Sequence, residues 1–286
     1  TIGTLFIFAL LGYQTIGFLQ VFGGGLGEEL SVIYARTEAQ LEDATRETAK
    51  RIFGVAGHSI AWGGFSIFSL FTLIGLSSLS NTIPFEPKQP ISRVVIVLAI
   101  SLCLVNVFYS GSRGALVAAA ISIVFFVFIY SCAKPVRFLV VIPLSVCVIA
   151  LFLIFVSRNI EAFKFIIYRF EVLIESQGGG RVDQILSSLN LLDLPYEYVV
   201  GVSNQVQRQF AVSHGVEIEF INILVSYGIF GFLLLYLQLS TLFFGFSVKK
   251  RLPENHLKVV SISAQSIIVM YLVFSFGYFF YAELIV

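Results

Sequence analysis

Residues 94–131 read VVIVLAISLCLVNVFYSGSRGALVAAAISIVFFVFIYS, an apolar run that is interrupted once, by Ser110-Gly111-Ser112-Arg113-Gly114. As one helix this run would be about 57 Å long, whereas roughly 30 Å is enough to cross the hydrocarbon core of a membrane. Glycines on both sides of Arg113 permit the chain to turn back tightly. We therefore predict two membrane-spanning helices joined by a short turn, with Arg113 between the two helix ends.

The same kind of apolar run recurs along the whole chain. Hydrophobic residues make up 57% of the sequence and charged residues only 12%. This composition excludes a soluble domain and predicts an all-α, polytopic membrane helix bundle with about seven transmembrane helices, in which 1–286 form a single transmembrane domain. The predicted spans are the seven stretches without Asp, Glu, Lys or Arg: 4–22, 58–80, 94–110, 115–131, 138–156, 220–246 and 259–282.

Other classes of function find little support in the composition. The net charge of +1 gives no reason to expect a nucleic-acid partner, and the expected surroundings are membrane lipid. Cys103, Cys132 and Cys147 fall inside or beside apolar spans, so neither a disulfide framework nor a zinc-type spacing is present. The connections contain no Asp-x-Asp pair and no His/Asp cluster with metal-ligand spacing, so we predict no metal and no cofactor.

The charges of the connections predict the orientation. Three short connections, 81–93, 132–137 and 247–258, carry eight Lys or Arg residues against two Glu. Short basic loops stay in the cytoplasm, so the other connections face outward. These are the first outer loop, 23–57, in which 28–51 is predicted to form a surface helix, the turn 110–114, and a large outer loop, 157–219.

Three of the arginines on the outer side are candidate site residues. Arg113 lies in so short a turn that we expect it to bind an anion, with help from nearby helix-start amides; a snorkelling interface Arg is the alternative. Arg51 lies where the first outer loop enters the span 58–80, and an interface anchor is its alternative. Arg181 follows three glycines in the large outer loop, where a solvated Arg is the alternative.

Candidate proton acceptors precede the span 220–246. His214, Glu217 and Glu219 lie there, and at helical spacing His214 and Glu217 share a face. A solvated, charged helix entrance is the alternative. Arginine suits diphosphate because its planar fork binds phosphate oxygens in pairs, and its charge can stabilise a diphosphate leaving group without a metal. A neighbouring His or Glu can accept the proton of a hydroxyl nucleophile.

Several short motifs resemble one known family when they are taken in order. Phe108–Leu116 (FYSGSRGAL) is similar to the Thr/Ser-Gly-Ser-Arg-Gly signature of the O-antigen polymerase and ligase superfamily. The other pieces follow the family order over roughly residues 45–245: Arg51–Gly54, Gly180-Arg181, Gly201-Val202, and Phe220–Leu224 with the closing Gly-x-x-Gly of Gly228–Gly231.

The resemblance implies transfer of a glycan from a polyprenyl diphosphate carrier at the periplasmic face of the bacterial inner membrane, without a metal. Polyprenyl-diphosphate-linked oligosaccharides would be the substrates, and a chain-length regulator protein is a candidate partner. The implied diphosphate ligands are Arg113 and Arg181, assisted by Arg51, and the base is His214 or Glu217. The remaining candidates for substrate binding are Ser112, Glu219 and Asn222.

The motif register favours one branch of the superfamily. Ligases carry a catalytic His-Asn eleven residues before the first Gly of Gly-x-x-Gly, where this chain has Glu217-Ile218, and His214 comes three residues earlier. We therefore favour a polymerase of lipid-linked repeat units over a ligase. A transporter would place ionisable groups or broken helices near the midplane, and we expect neither here. Full-length members have more spans, so we expect a fragment, with a complete seven-span chain as the alternative.

Overall fold

The computed structural model describes residues 2–38, 41–42, 51–79, 93–132, 168, 171, 181–202, 218–249 and 255–275. Within these residues every regular element is helical. Besides a 3₁₀ turn at Gly54–Ala56, the elements are α1 (Ile2–Phe22), α2 (Gly25–Tyr34), α3 (Ser59–Leu79), α4 (Arg93–Tyr109), α5 (Arg113–Cys132), α6 (Arg181–Leu189), α7 (Pro195–Val200), α8 (Glu219–Lys249) and α9 (Asn255–Ser275).

The predicted polytopic helix bundle is confirmed. In the described part of the chain, α1, α3, α5, α8 and α9 are long and apolar enough to cross a membrane, and α4 is a shorter apolar helix. These six helices correspond to six of the seven predicted spans. The seventh span, 138–156, lies outside the described residues.

The helix α3 is the centre of the bundle. About 67% of the membrane-length apolar segment of α3 is buried, against 22% of that of α5. The reason is that α4, α5 and α9 all pack around α3. Small residues permit this close approach: a Cβ added at Gly63 would lie 2.6 Å from the Cβ of Ala115. The buried cluster between α3, α5 and α9 comprises Ala61, Ile67, Phe71, Ala115, Ala118, Ala119, Met270 and Phe274, with Val107 of α4.

Several helix termini meet at one end of the bundle. The backbone N–H of Gly54 donates to Gln20 Oε1 near the end of α1 (2.9 Å), and that of Ile52 donates to the carbonyl of Tyr109 at the end of α4 (3.1 Å). The starts of α3 and α5 lie at the same end. We call this the site end, defined by Gln20, Ser59, Ser110, Arg113 and Phe274.

One local expectation is wrong. The surface helix predicted over 28–51 is interrupted at Ala35, whose φ of −67° and ψ of 131° are extended. The next residue, Arg36, lies against Gly57, where an added Cβ would lie 2.6 Å from Arg36 Nε. The helix α8 is interrupted at Gly228, which has non-helical backbone angles, φ 65° and ψ −173°.

The break in α8 lies toward its start. The part after Gly228, residues 229–249, is long enough to cross the hydrocarbon core by itself, since ~20 residues suffice. The part before it, Glu219–Tyr227, is a separate short helix at the site end. The break therefore lies near the membrane boundary and not at the midplane, where a transporter would place it.

Candidate functional site

The turn between α4 and α5 forms as the sequence predicts. Gly111 adopts the left-handed conformation that reverses the chain, with φ 61°. Ser110 Oγ donates to the carbonyl of Val107 (2.7 Å), which ties the turn to the end of α4. Ser112 Oγ accepts a hydrogen bond from the backbone N–H of Ala115 (3.2 Å) and so caps α5. Arg113 is consequently the first residue of α5.

Of Ser112 and Gly114, only Ser112 has a structural task in this turn. Ser112 is 4% exposed, and its hydroxyl serves the helix cap. Gly114 does not make the reversal, since it lies inside α5, where an added Cβ would be an ordinary 4.0 Å from Phe274 Cε2. The glycine that the turn requires is Gly111 alone.

Arg51 lies on the same turn, although 59 residues separate it from Ser110 in sequence. Its Nη2 donates to Ser59 Oγ (2.6 Å) and its Nε to the carbonyl of Ser110 (3.4 Å). A Cβ at Gly111 would lie 3.2 Å from both Cγ and Nε of Arg51, so the glycine also gives the Arg side chain room. Arg51 thus joins the first outer loop to the turn that carries Arg113.

The backbone next to Arg51 rests on buried side chains. Gly54 adopts a φ of 49°, and a Cβ there would lie 2.2 Å from the ring of Trp62. Gln20 accepts the backbone N–H of Gly54. Main-chain contact with an indole ring explains why this position of the Arg-x-x-Gly motif is a glycine.

The start of α8 contributes a buried acidic group. Glu219 is fully buried, and its Oε1 accepts a hydrogen bond from the hydroxyl of Tyr271 in α9 (2.8 Å). Asn222 lies three residues later, on the same face of the helix. It is 3% exposed, and its Oδ1 has no hydrogen-bond partner among the described residues. Two of the predicted substrate-binding residues therefore share one buried polar face.

The last turn of α9 connects the two halves of the site. Tyr271 contacts Glu219, while Phe274, three residues later on the same face, lies against Gly114 next to Arg113. The starts of α5 and α8 thus pack on a single turn of α9. Gly114, the neighbour of Arg113, and Glu219 therefore each contact α9 within one helical turn.

The glycine motifs of the large outer loop and of α8 meet main chain to main chain. Gly201 has a φ of 79°, and a Cβ there would lie 2.3 Å from the carbonyl of Ser226. The N–H of Val202 donates to the carbonyl of Val225 (2.8 Å). On the other side, a Cβ at Gly228 would lie 2.2 Å from the carbonyl of Val199. The helix α7 therefore docks into the break of α8.

The structure describes little of three other predicted site residues, Arg181, His214 and Glu217. Arg181 is the first residue of α6, whose residues Ile185 and Leu189 pack against Ile221 of α8. The position of its side chain lies outside the described part of the chain. His214 and Glu217, the candidate bases, also lie outside the described residues.

Two residues that hold the site were missed in the sequence. Tyr271 lies inside a predicted span, where a tyrosine is unremarkable, and its partner Glu219 is 52 residues away. Gln20 lies near the end of the first span and looked like an ordinary polar residue at the membrane boundary. A polar side chain in the last turn of a span is the signal that points to Gln20, whereas Tyr271 lies in the middle of the predicted span 259–282 and has no such signal.

The fold and site define a multi-pass membrane protein with arginine-bearing turns gathered at one end of its bundle. Residues 98–236, just under half of the chain, match the model of a family described as O-antigen ligase. This match confirms the resemblance to the O-antigen polymerase and ligase superfamily and supports a role in glycan processing at a membrane. None of the curated proteins and none of the solved structures compared with the chain matches it.

Proposed function

We propose that this protein is a membrane glycosyltransferase that polymerises polyprenyl-diphosphate-linked oligosaccharide repeat units into a surface polysaccharide. The observation that carries the proposal is the convergence at the site end of Arg51, the Arg113 turn and the buried Glu219. These residues come from three distant parts of the sequence, and Arg113 and Glu219 fall within the segment that matches the family model.

In this proposal the arginines hold the lipid-linked diphosphate. Arg113 and Arg181 bind its oxygens in pairs and stabilise the negative charge that grows as the diphosphate leaves. Arg51 assists mainly by position, because its bonds to Ser59 and Ser110 fix the turn in front of Arg113. Arginine charge takes the place of a metal ion, so the reaction is metal-independent and requires no cofactor.

The chemical step is a substitution at the anomeric carbon of the donor chain. A hydroxyl oxygen of the acceptor sugar bonds to that carbon, the bond from the carbon to the diphosphate oxygen breaks, and the carrier diphosphate leaves with the electron pair. The hydroxyl proton passes to a general base, for which His214 is our choice and Glu217 the alternative. Ser112, Glu219 and Asn222 contribute to substrate binding, with Asn222 Oδ1 as an acceptor for a sugar hydroxyl.

We place this reaction at the periplasmic face of the bacterial inner membrane. The basic short loops support this orientation, because they assign the end with Arg113 and the large outer loop, 157–219, to the outside. The substrates would arrive within the membrane as polyprenyl-diphosphate-linked oligosaccharides. A chain-length regulator protein would be a fitting partner, since a polymerase alone sets no product length.

The second candidate function is the ligase, which transfers a finished glycan to lipid A–core or another acceptor. The description of the matching family as O-antigen ligase favours it. Deletion of the gene separates the two. Loss of a polymerase leaves single repeat units attached to the cell's lipid core, whereas loss of a ligase leaves the core bare and polymer on the polyprenyl carrier. The second pattern would overturn the polymerase proposal.

A further inference from the structure

A cluster of polar side chains lies inside the bundle, between α1, α3 and α4 and near the segment that follows Arg51. All four members of the cluster are fully buried: Gln14 of α1, Trp62 and Ser66 of α3, and Asn106 of α4. Polar groups at this depth in a membrane protein are costly unless they are hydrogen-bonded, because neither lipid nor bulk water is available as a partner. The pairing of each polar atom in the cluster is therefore informative.

Part of the cluster is well bonded. Asn106 Nδ2 donates to the backbone carbonyl and to Oε1 of Gln14, both at 2.7 Å. Ser66 Oγ donates to the same Oε1 (3.1 Å). Because the Asn106 amide nitrogen faces two acceptors, the orientation of this side chain is fixed, and its Oδ1 must point the other way.

Three atoms of the cluster have no hydrogen-bond partner among the described residues: Gln14 Nε2, Trp62 Nε1 and Asn106 Oδ1. The last two lie close together, since a single point, the position of a Cβ added at Gly17, is 2.8 Å from Trp62 Nε1 and 2.9 Å from Asn106 Oδ1. Their separation therefore does not exceed the span of two hydrogen bonds of about 2.8 Å each, which is the reach of one bridging water.

We propose that Gln14, Trp62 and Asn106 bind one water molecule between α1, α3 and α4. The water accepts from the N–H groups of Trp62 and Gln14 and donates to Asn106 Oδ1, giving the three bonds that are typical of buried water. Two donors disfavour a cation, and the carbonyl oxygen of Asn106 disfavours an anion. The fully buried surroundings restrict the ligand to the size of water, and a side chain at Gly17 would collide with both Trp62 Nε1 and Asn106 Oδ1.

This water links the interior of the bundle to the site end. The ring of Trp62 also lies under Gly54, so the water-bound indole supports the backbone that follows Arg51. The inference is independent of the proposed polymerase activity, because it concerns only how α1 is joined to α3 and α4.

Trp62 is the only tryptophan in the chain, so its indole N–H gives a single resonance in protein labelled with ¹⁵N-tryptophan. In lipid nanodiscs we expect a rotating-frame Overhauser cross-peak between this proton and water, with the sign of dipolar contact and not of chemical exchange. Absence of that cross-peak in the wild-type protein would overturn the proposal and favour a direct bond from the indole to Asn106.

A pair of glycine substitutions on α1 tests the location. Gly17→Ala puts a methyl group beside both polar atoms and should remove the cross-peak. Gly12→Ala, on the same helix with no atom within 4 Å of the added Cβ, should keep it. A cross-peak that persists unchanged in Gly17→Ala would show that the water lies elsewhere. If Gly17→Ala fails to insert into the membrane, the wild-type spectrum still decides.

Discussion

The turn at Ser110–Arg113 and the short helix Glu219–Tyr227 lie at the same end of the bundle but are held in different ways. The reversal in the turn is formed by bonds between near neighbours, from Ser110 to Val107 and from Ala115 to Ser112, to which Arg51 adds one bond from a distant part of the chain. The short helix is held by Tyr271, 52 residues away, and by main-chain contacts with α7. A motif can therefore specify the first region locally, whereas the second depends on the assembled fold.

The largest expected effect concerns the candidate general bases, which precede the short helix Glu219–Tyr227 in the sequence. Removing a general base typically lowers a rate 10²–10⁴-fold, so His214→Ala should reduce in vitro polymerisation by that factor while Glu217→Ala has a much smaller effect. The assay uses purified protein, lipid-linked repeat units and a chelator. Near-normal rates in both variants would place the base elsewhere, and a requirement for a divalent ion would contradict the metal-free mechanism.

The next largest effect concerns Arg113, in the turn at Ser110–Arg113. Arg113→Ala should lower polymerisation roughly 10²–10³-fold, the usual loss when one charge-stabilising donor is removed. Arg113→Lys should recover little, because an ammonium group cannot copy the paired phosphate contacts. Lys258→Ala in α9 removes a basic residue from a loop assigned to the opposite face and is the matched control. Full activity of membrane-inserted Arg113→Ala would reduce this residue to an interface anchor.

Gly228→Ala addresses the long-range packing of the second region directly. A left-handed φ costs a non-glycine residue of order 1–3 kcal/mol, and the added Cβ would also meet the carbonyl of Val199. We expect a clearly lower midpoint of thermal unfolding in detergent. Gly245→Ala in the same helix has open space around its Cβ and should leave the midpoint unchanged. Equal midpoints for the two variants would refute the docking of α7 into the break.

The smallest effect concerns the bond between Tyr271 and Glu219. Tyr271→Phe removes one hydrogen bond, worth about 0.5–1.5 kcal/mol. If the bond orients the start of α8, polymerisation should fall up to about tenfold with a normal amount of inserted protein. Tyr13→Phe, at a position 45% exposed on α1, is the control. Identical rates for the two variants would mean that the bond between Tyr271 and Glu219 does not contribute to activity.

The spans and the turn were predictable because their signals are local. Runs without charge define helices of membrane length, and the single break in 94–131 placed the reversal within 110–114. The structure confirms the turn and assigns the reversal to Gly111. The signature glycines were also visible in the sequence. Their reasons were not, since Gly54 meets Trp62 and Gly228 meets Val199 only in the folded chain.

The parts that were missed depend on contacts between distant residues. The apolar run 220–246 has no Pro and no charge that would predict the break at Gly228, and the docking of α7 supplies the cause. Neither the Tyr271–Glu219 bond nor the Asn106–Gln14 bond has a sequence signal, since each joins two polar residues that lie far apart in the sequence.

The main-chain contact between Gly201 and Ser226 has a consequence for how such a protein can diversify. Because backbone meets backbone there, the contact depends on the glycine and on very little else in the large outer loop. The exposed side chains of α7, such as Tyr196 and Tyr198, can be substituted without breaking the main-chain contact between Gly201 and Ser226. If the proposed activity holds, side chains on this loop can change with the sugar that is recognised while the main-chain contact with α8 stays the same.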